Sequence, residues 1–318
     1  MSRRRDGFGY RLRGRLRLGA ARLLLRLLGG LSLAGAQRLG RAVGRIFWLV
    51  NGKTRRTVEE NLARCLPELD ETKRRRLARR SLIETGMGLI ETGAAWRWPR
   101  ERIESVVTDM PGFEKIEQAL QAGNGAILLA PHMGNWELGG LMTGLRTPTT
   151  VMYRPPREPA MEALLVEVRS AFGSDMAPAN LRGVRKALRA LKRGELVAIL
   201  PDQAPSHGEG VTAPYFDQPA LTMTLIRTLS QRTGAAAFTG WAERLPDAAG
   251  FRIHYEPVTE PIDHDDPVEA AAALNREVER VVREGPAQYQ WTYRRFRRQA
   301  SGRARREARA GVDADQSR

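Results

Sequence analysis

His132 and Glu137, five residues apart in the stretch Gly125 to Gly140, are the side chains whose types and spacing best suit moving a proton. An imidazole accepts a proton near neutral pH, and a carboxylate on its other nitrogen fixes the tautomer and stabilises the imidazolium that forms. Spacing alone would more often describe a structural histidine in a turn beside a helix-capping carboxylate. A second carboxylate of interest, Asp202, stands in Leu200-Pro201-Asp202-Gln203. On its own that carboxylate either binds a substrate group or an arginine, or caps the loop that follows.

The elements around these residues explain how they would be held. Ala126 to Ala130 is a short apolar run without charge, suited to a strand buried on both faces of an open α/β sheet. Pro131 stops it, and Asn135 can cap a helix through Glu137, Leu138, Leu141 and Leu145, so His132 falls in the strand-to-helix turn. Leu196 to Leu200 is another buried strand and delivers Asp202 to the same sheet edge, where ligands of open α/β sheets collect. Thr149 to Tyr153 reads as a strand ending at Arg154, and Met161 to Phe172 as a helix carrying Arg169. Helices are expected across residues 53–98, then through Phe113 and Ile116, through Val184 and Leu191, and from Pro267 to Arg283. Gly208 to Ala220 reads as a loop, Leu221 to Thr233 as a helix, and Ala235 to Trp241 and Phe251 to Tyr255 as strands. The alternation predicts an α/β fold, a central mostly parallel sheet flanked by helices.

The net charge of +16 belongs to the ends. Residues 1–56 hold fifteen Arg and Lys against one acid, residues 291–318 nine Arg against three, and the body between them is slightly acidic. Basic ends suit an anionic surface. From Leu23 to Val50 leucines mix with small residues and arginines, and no window is long and apolar enough to span a bilayer. Leu39, Val43, Ile46, Phe47 and Val50 share one helical face, and Arg38, Arg41 and Arg45 another. That pattern fits a helix lying on anionic lipid, or an amphipathic helix docked on the domain. Residues 1–20 are expected to be poorly ordered away from a membrane. The divisions expected are a membrane-associated segment 1–52, an α/β domain 53–298 and a basic tail 299–318.

One cysteine, Cys65, excludes an internal disulfide, and the four histidines form neither H-E-x-x-H nor a Cys/His cluster, so no metal is expected. No G-x-S-x-G or P-loop motif is present. A near-neutral body without interleaved basic and aromatic residues argues against nucleic acid as a partner.

The block His132-Met133-Gly134-Asn135-Trp136-Glu137 resembles the H-x-G-N-W-E block of the bacterial lipid A late acyltransferases, within the lysophospholipid acyltransferase superfamily. Other blocks resemble that family in the same order: Arg56 to Leu69, Tyr153-Arg154-Pro155, Arg169 with Gly173, Gly194 to Gln203, and Pro286 to Phe296. Asp217 stands where the family commonly has glycine, and Tyr293 where many relatives have histidine.

The resemblance implies a glycerol-phosphate-acyltransferase-like fold and transfer of a fatty acyl chain from acyl carrier protein, or coenzyme A, to a hydroxyacyl chain of a lipid A precursor. It implies His132 as general base oriented by Glu137, with no acyl-enzyme and no cofactor. Backbone N–H groups near Gly134 and Asn135, at the helix start, are candidate oxyanion donors. Asn135, Arg154, Arg169 and Asp202 would bind substrate or support the site; Arg294 and Arg295, with Arg297 and Arg298, either hold acceptor or carrier phosphates or form a solvated basic tail. The family uses the region of Met87, Leu89, Ile90, Trp96 and Trp98 to line an acyl pocket, but apolar residues at helical spacing are more often core, so these are left out of the expected site. The expected location is the cytoplasmic face of an inner membrane, against anionic lipid. The same dyad would serve acylation of a lysophospholipid or aminoacyl lipid, and the remote alternative is a non-enzymatic basic membrane or nucleic-acid binding protein.

Overall fold

The computed structural model describes residues 8–156, 158–205 and 209–296. The tail 299–318, Arg297, Arg298 and His207 lie outside the described residues. The chain opens with helices α1 (Phe8–Gly29), α2 (Leu33–Val50), α3 (Gly52–Cys65), α4 (Glu71–Ala95) and α5 (Arg100–Val106). Strand β1 (Val107–Asp109) and helix α6 (Phe113–Gln121) lead into β2 (Ala126–Leu129), α7 (Trp136–Arg146), β3 (Thr149–Tyr153), α8 (Pro159–Ala171) and β4 (Ser174–Pro178). Then come α9 (Leu181–Lys192), β5 (Leu196–Ile199), β6 (Gly210–Tyr215), β7 (Gln218–Met223), α10 (Leu225–Thr233), β8 (Ala236–Arg244), β9 (Phe251–Pro257) and α11 (Pro267–Glu284).

Seven strands form one sheet in the order β1-β9-β8-β2-β5-β3-β4. The run β8-β2-β5-β3-β4 is parallel, and β9 joins β8 antiparallel, so the mostly parallel sheet expected from the alternation is present. Strand side chains alternate faces. Ala126 and Leu128 join Leu138 and Leu141 of α7 and Leu164 and Val168 of α8, whereas Ile127 and Leu129 join Ala187 and Leu191 of α9 and Leu229 of α10. Both faces of β2 are therefore covered, which is why its run carries no polar residue.

Residues 8–20 are helical, within α1, and residues 1–7 lie outside the described residues. Helix α2 lies on α4 through small residues. A Cβ built on Gly40 would stand 2.5 Å from the Met87 Cα, and one on Gly86 2.4 Å from the Gly40 carbonyl oxygen. Only glycine allows backbones that close. Among the described residues, no helix is long and apolar enough to cross a membrane.

The region read as a loop at 208–220 is a two-stranded hairpin, β6 with β7, and helix α10 starts at Leu225 rather than Leu221. Its two-residue turn places Phe216 at φ 48° and Asp217 at φ 55°. Two successive positive φ values are the hallmark of the hairpin turn whose twist matches its strands. Asp217 thus holds the left-handed conformation that a glycine would adopt without strain.

Candidate active site

The turn between β2 and α7 is held from three sides. Asn135 caps α7 by accepting from the Leu138 N–H at 3.0 Å, as its place before the helix predicts. Gly134, at φ 61°, lies so close to β8 that a Cβ there would fall 1.8 Å from the Ala242 carbonyl oxygen. The Gly134 N–H donates to the Gln288 carbonyl and the Asn135 N–H to the Ala242 carbonyl, both at 3.0 Å. These two amides are therefore occupied, so the donors expected near them at the helix start are the next amides along. The first-turn amides of Trp136 and Glu137 are the donors that a helix start leaves without intrahelical partners.

Asp202 reaches His132 from the end of β5. Its Oδ1 lies 2.8 Å from His132 Nδ1, and its Oδ2 accepts from the His132 backbone N–H at 3.1 Å. Burial alone would raise the Asp202 pKa, but the charge of His132 and the hydrogen bonds from its ring and backbone outweigh it and hold the carboxyl below its ordinary value. A carboxylate accepts only, so the Nδ1 it faces carries hydrogen and Nε2 is the proton-accepting atom of the neutral ring. The Trp136 ring meets the imidazole edge to face, 5.0 Å between centroids.

The ring's carboxylate partner is thus Asp202, and the expectation that Glu137 would take that place is corrected. Glu137 accepts from Arg169 Nε at 2.8 Å and Nη2 at 2.7 Å, and from Trp96 Nε1 at 3.0 Å. A planar guanidinium facing a carboxylate through two parallel bonds is the strong form of this pair. Glu137 is 6% exposed and Arg169 18%, so the pair is largely shielded from water. Five residues across a strand-to-helix turn put His132 outside the helix and Glu137 in its first turn, and α8 supplies the cation that Glu137 meets.

Beyond Trp136, Glu137 and Arg169 an apolar cleft runs down beside α7, with about 670 Å³ of empty space when the open solvent at its mouth is counted. Its upper end has Ala130 and Leu200, and its lower end Thr149 and Ser174. Since Leu196 pairs with Thr149, Leu200 stands four residues above the lower end, roughly 13 Å at the rise of a strand. Tyr255 and Thr143, both in the lining, bond hydroxyl to hydroxyl at 2.7 Å. Gly140 lines the cleft, and a Cβ built there meets nothing within 4 Å. Met87, Leu89, Ile90, Trp96 and Trp98 do not line it; Leu89 is exposed and Trp96 bonds Glu137.

Of the remaining expected residues, Arg154 is exposed at the end of β3, without a hydrogen bond to the site. Arg294 is exposed and reaches Thr57 Oγ1 at 3.3 Å. Arg295 is corrected from phosphate binder to structural residue: it is buried, and its guanidinium donates to the Leu221 carbonyl and to Thr222 Oγ1. Tyr293 accepts from the Ala204 N–H at 3.0 Å and so holds the loop after Asp202.

A buried network not foreseen from the chain supports the turn from below. Arg244 on β8 donates to Glu91 and Glu84 of α4, with Nε to Glu91 Oε1 at 2.7 Å, and Glu91 in turn accepts from Asn135 Nδ2 at 3.2 Å. Burial works against the guanidinium's charge, but the two carboxylates outweigh it and raise its proton affinity above that of an ordinary arginine. Glu91 and Arg244 are 153 residues apart in sequence, so no local signal connects them.

Comparison with known proteins agrees with these features. The family described as bacterial lipid A biosynthesis acyltransferase matches residues 18–298. The chain is 30% identical to the lipid A biosynthesis lauroyltransferase of Escherichia coli (strain K12) over 266 residues, 83% of this chain and 86% of that one. It is 32% identical to the palmitoleoyltransferase of the same organism over 244 residues, 76% and 78% of the two chains. A phosphatidylinositol mannoside acyltransferase of Mycobacterium tuberculosis (strain ATCC 25618 / H37Rv) is 30% identical over 130 residues, 39% of this chain and 40% of that one. A shielded histidine-carboxylate pair beside an apolar cleft, on a chain that matches almost throughout, identifies it as a member of the bacterial lipid A biosynthesis acyltransferase family.

Proposed function

We propose that the chain transfers a fatty acyl group from the thioester of an acyl carrier protein to the hydroxyl of a hydroxyacyl chain on a lipid A precursor. The observation that carries this reading is the His132 ring, fixed through Nδ1 by Asp202, beside a cleft shaped for a hydrocarbon. In this mechanism Nε2 takes the hydroxyl proton as the oxygen attacks the thioester carbonyl. The carbon–sulfur bond then breaks, and the imidazolium returns the proton to the leaving thiolate. The first-turn amides of Trp136 and Glu137, with the Arg169 cation at the head of the cleft, face the negative charge that develops on the thioester oxygen. Glu137 keeps Arg169 in place rather than orienting the base.

A depth of roughly 13 Å holds an extended chain of roughly ten carbons at ordinary bond lengths. The acceptor lipid would approach from the membrane, where Leu23, Leu24 and Leu27 of α1 stand exposed beside Arg22 and Arg26. Leucines at the acyl boundary with arginines at anionic headgroups describe a peripheral helix. Arg154 and Arg294, both exposed, suit phosphates of the acceptor or the donor.

The test is acyl transfer by wild type and His132→Ala, offered the thioester of acyl carrier protein or of coenzyme A, with a tetra-acylated lipid A precursor or a lysophospholipid as acceptor. Transfer to the lipid A precursor from the carrier protein, reduced at least a thousand-fold in a folded His132→Ala chain, is the expected result. Transfer to the lysophospholipid alone would replace the acceptor, use of coenzyme A alone would replace the donor, and equal rates would remove His132 from the mechanism.

A further inference from the structure

Gln203 follows Asp202 directly, and its side-chain nitrogen lies 3.1 Å from His132 Nε2 and 3.5 Å from Gln290 Oε1. Asp202 leaves Nε2 as an acceptor, so the amide group facing it must be the donating NH2. The Gln290 oxygen also accepts, so both neighbours require the same orientation of the Gln203 amide. The backbone on either side is fixed: the Gln290 N–H donates to the His132 carbonyl at 3.0 Å, and the Ala204 N–H to the Tyr293 hydroxyl at 3.0 Å. The Gln203 amide therefore stands on the lone pair that the reaction needs.

We propose that Gln203 is a positioning residue that occupies the proton-accepting nitrogen of His132 until the acceptor hydroxyl displaces it onto Gln290. The inference rests on the functional reading above and adds an order of events to it. A general base must lie within hydrogen-bond reach of the proton it removes. One ring nitrogen offers one lone pair in the ring plane, so the amide and the hydroxyl exclude each other. Gln290 Oε1, already facing the amide at 3.5 Å, gives the displaced NH2 an acceptor. No proton leaves Gln203: the hydroxyl proton goes to Nε2 and from there to the departing thiolate.

The other groups facing the ring are the Asp202 carboxylate on Nδ1 and the Trp136 ring. The Glu137–Arg169 pair lies next to Trp136 on α7 and α8, and the Tyr293 hydroxyl reaches the loop through Ala204.

The test uses the full chain with isotope-labelled histidine, in wild type, Gln203→Ala and Gln203→Glu, with His132→Gln to assign the ring signals. Losing the amide donor should move the Nε2 nitrogen resonance of the neutral His132 ring in Gln203→Ala and leave that of Nδ1 in place. A carboxylate, which donates nothing, should move it likewise in Gln203→Glu. In the transfer assay, the KM for the acceptor in Gln203→Ala should fall several-fold while the KM for the thioester donor stays the same. An unmoved Nε2 resonance in both variants would overturn the contact, and an acceptor KM that is unchanged or raised would overturn the displacement. The two ideas fail separately: a wild type that acylates no hydroxyl acceptor would sink the functional reading, whereas the ring resonances would still judge the contact.

Discussion

The two carboxylates of the site differ in what they hold and in what that permits. Asp202 faces an imidazole, a partner whose charge changes during a proton transfer, and it reaches both the ring and the backbone of His132. Glu137 faces a guanidinium, a partner whose charge never changes at working pH, through two parallel bonds. The first arrangement can take part in moving a proton, and the second can only keep a cation in place. Sequence proximity assigns Glu137 to the histidine, whereas spatial proximity pairs the glutamate of the H-x-x-x-x-E spacing with Arg169.

The largest effect should come from the Asp202 side. Asp202→Asn keeps the shape of the side chain but removes the charge that stabilises the imidazolium, and should lower kcat by about 10³ to 10⁴ at saturating substrates. Equal or greater loss in Glu137→Gln would reverse the comparison. The same variant carries a pH signature in the folded state. Because the Asp202 carboxyl is held below its ordinary value, its contribution to stability is complete at neutral pH and lost as pH falls through that depressed value. The stability advantage of wild type over Asp202→Asn, followed by denaturant unfolding, should therefore be full at pH 7 and shrink below pH about 4.

The Glu137 side should respond less in rate and more in substrate binding. Glu137→Gln frees Arg169 and should lower kcat by roughly 10- to 100-fold, raise the donor KM, and reduce unfolding stability by roughly 2 kcal/mol, less than a wholly buried pair would lose. A rate loss without any change in donor KM would detach Arg169 from the thioester. The smallest effect on rate belongs to the cleft. Gly140→Leu fills open space, so it should shift the preferred donor toward shorter acyl chains, read from a competition among carrier-protein thioesters, with kcat for the short chain within a few-fold of wild type. An unaltered preference would mean that the chain lies elsewhere.

Much of the site was legible because its parts sit where strand and helix rules put them. The unbroken apolar run of β2, the cap at Asn135 and the arrival of Asp202 at the same edge all follow from residue type and order. The pairing did not follow, because whether an imidazole turns toward the next helix or the next strand depends on atoms far away in sequence. Gln203 was visible within a family-like block, but its contact with Nε2 depends on how the turn after β5 folds back. Three of the strands that went unrecognised share a cause. Strand β4 holds Asp175 and Pro178 at the sheet edge, and the β6–β7 hairpin contains Pro214 and Pro219, residues that ordinarily argue against a strand. Arg295 shows the opposite error: a charge read as available to ligands serves the packing of the C-terminal segment.

The glycine contact between α2 and α4 makes the second helix a structure turned inside out. Its small residues, Ala36, Gly40 and Gly44, face inward, while Leu39, Ile46, Leu49 and Val50 face outward. The usual amphipathic helix buries its large residues and shows its small or charged ones. Here, attachment depends on shape at the level of single methyl groups, while greasiness remains on the far side, available to another phase. Such a helix can be firmly part of a folded domain and still behave, on its outer surface, as if it belonged to a lipid.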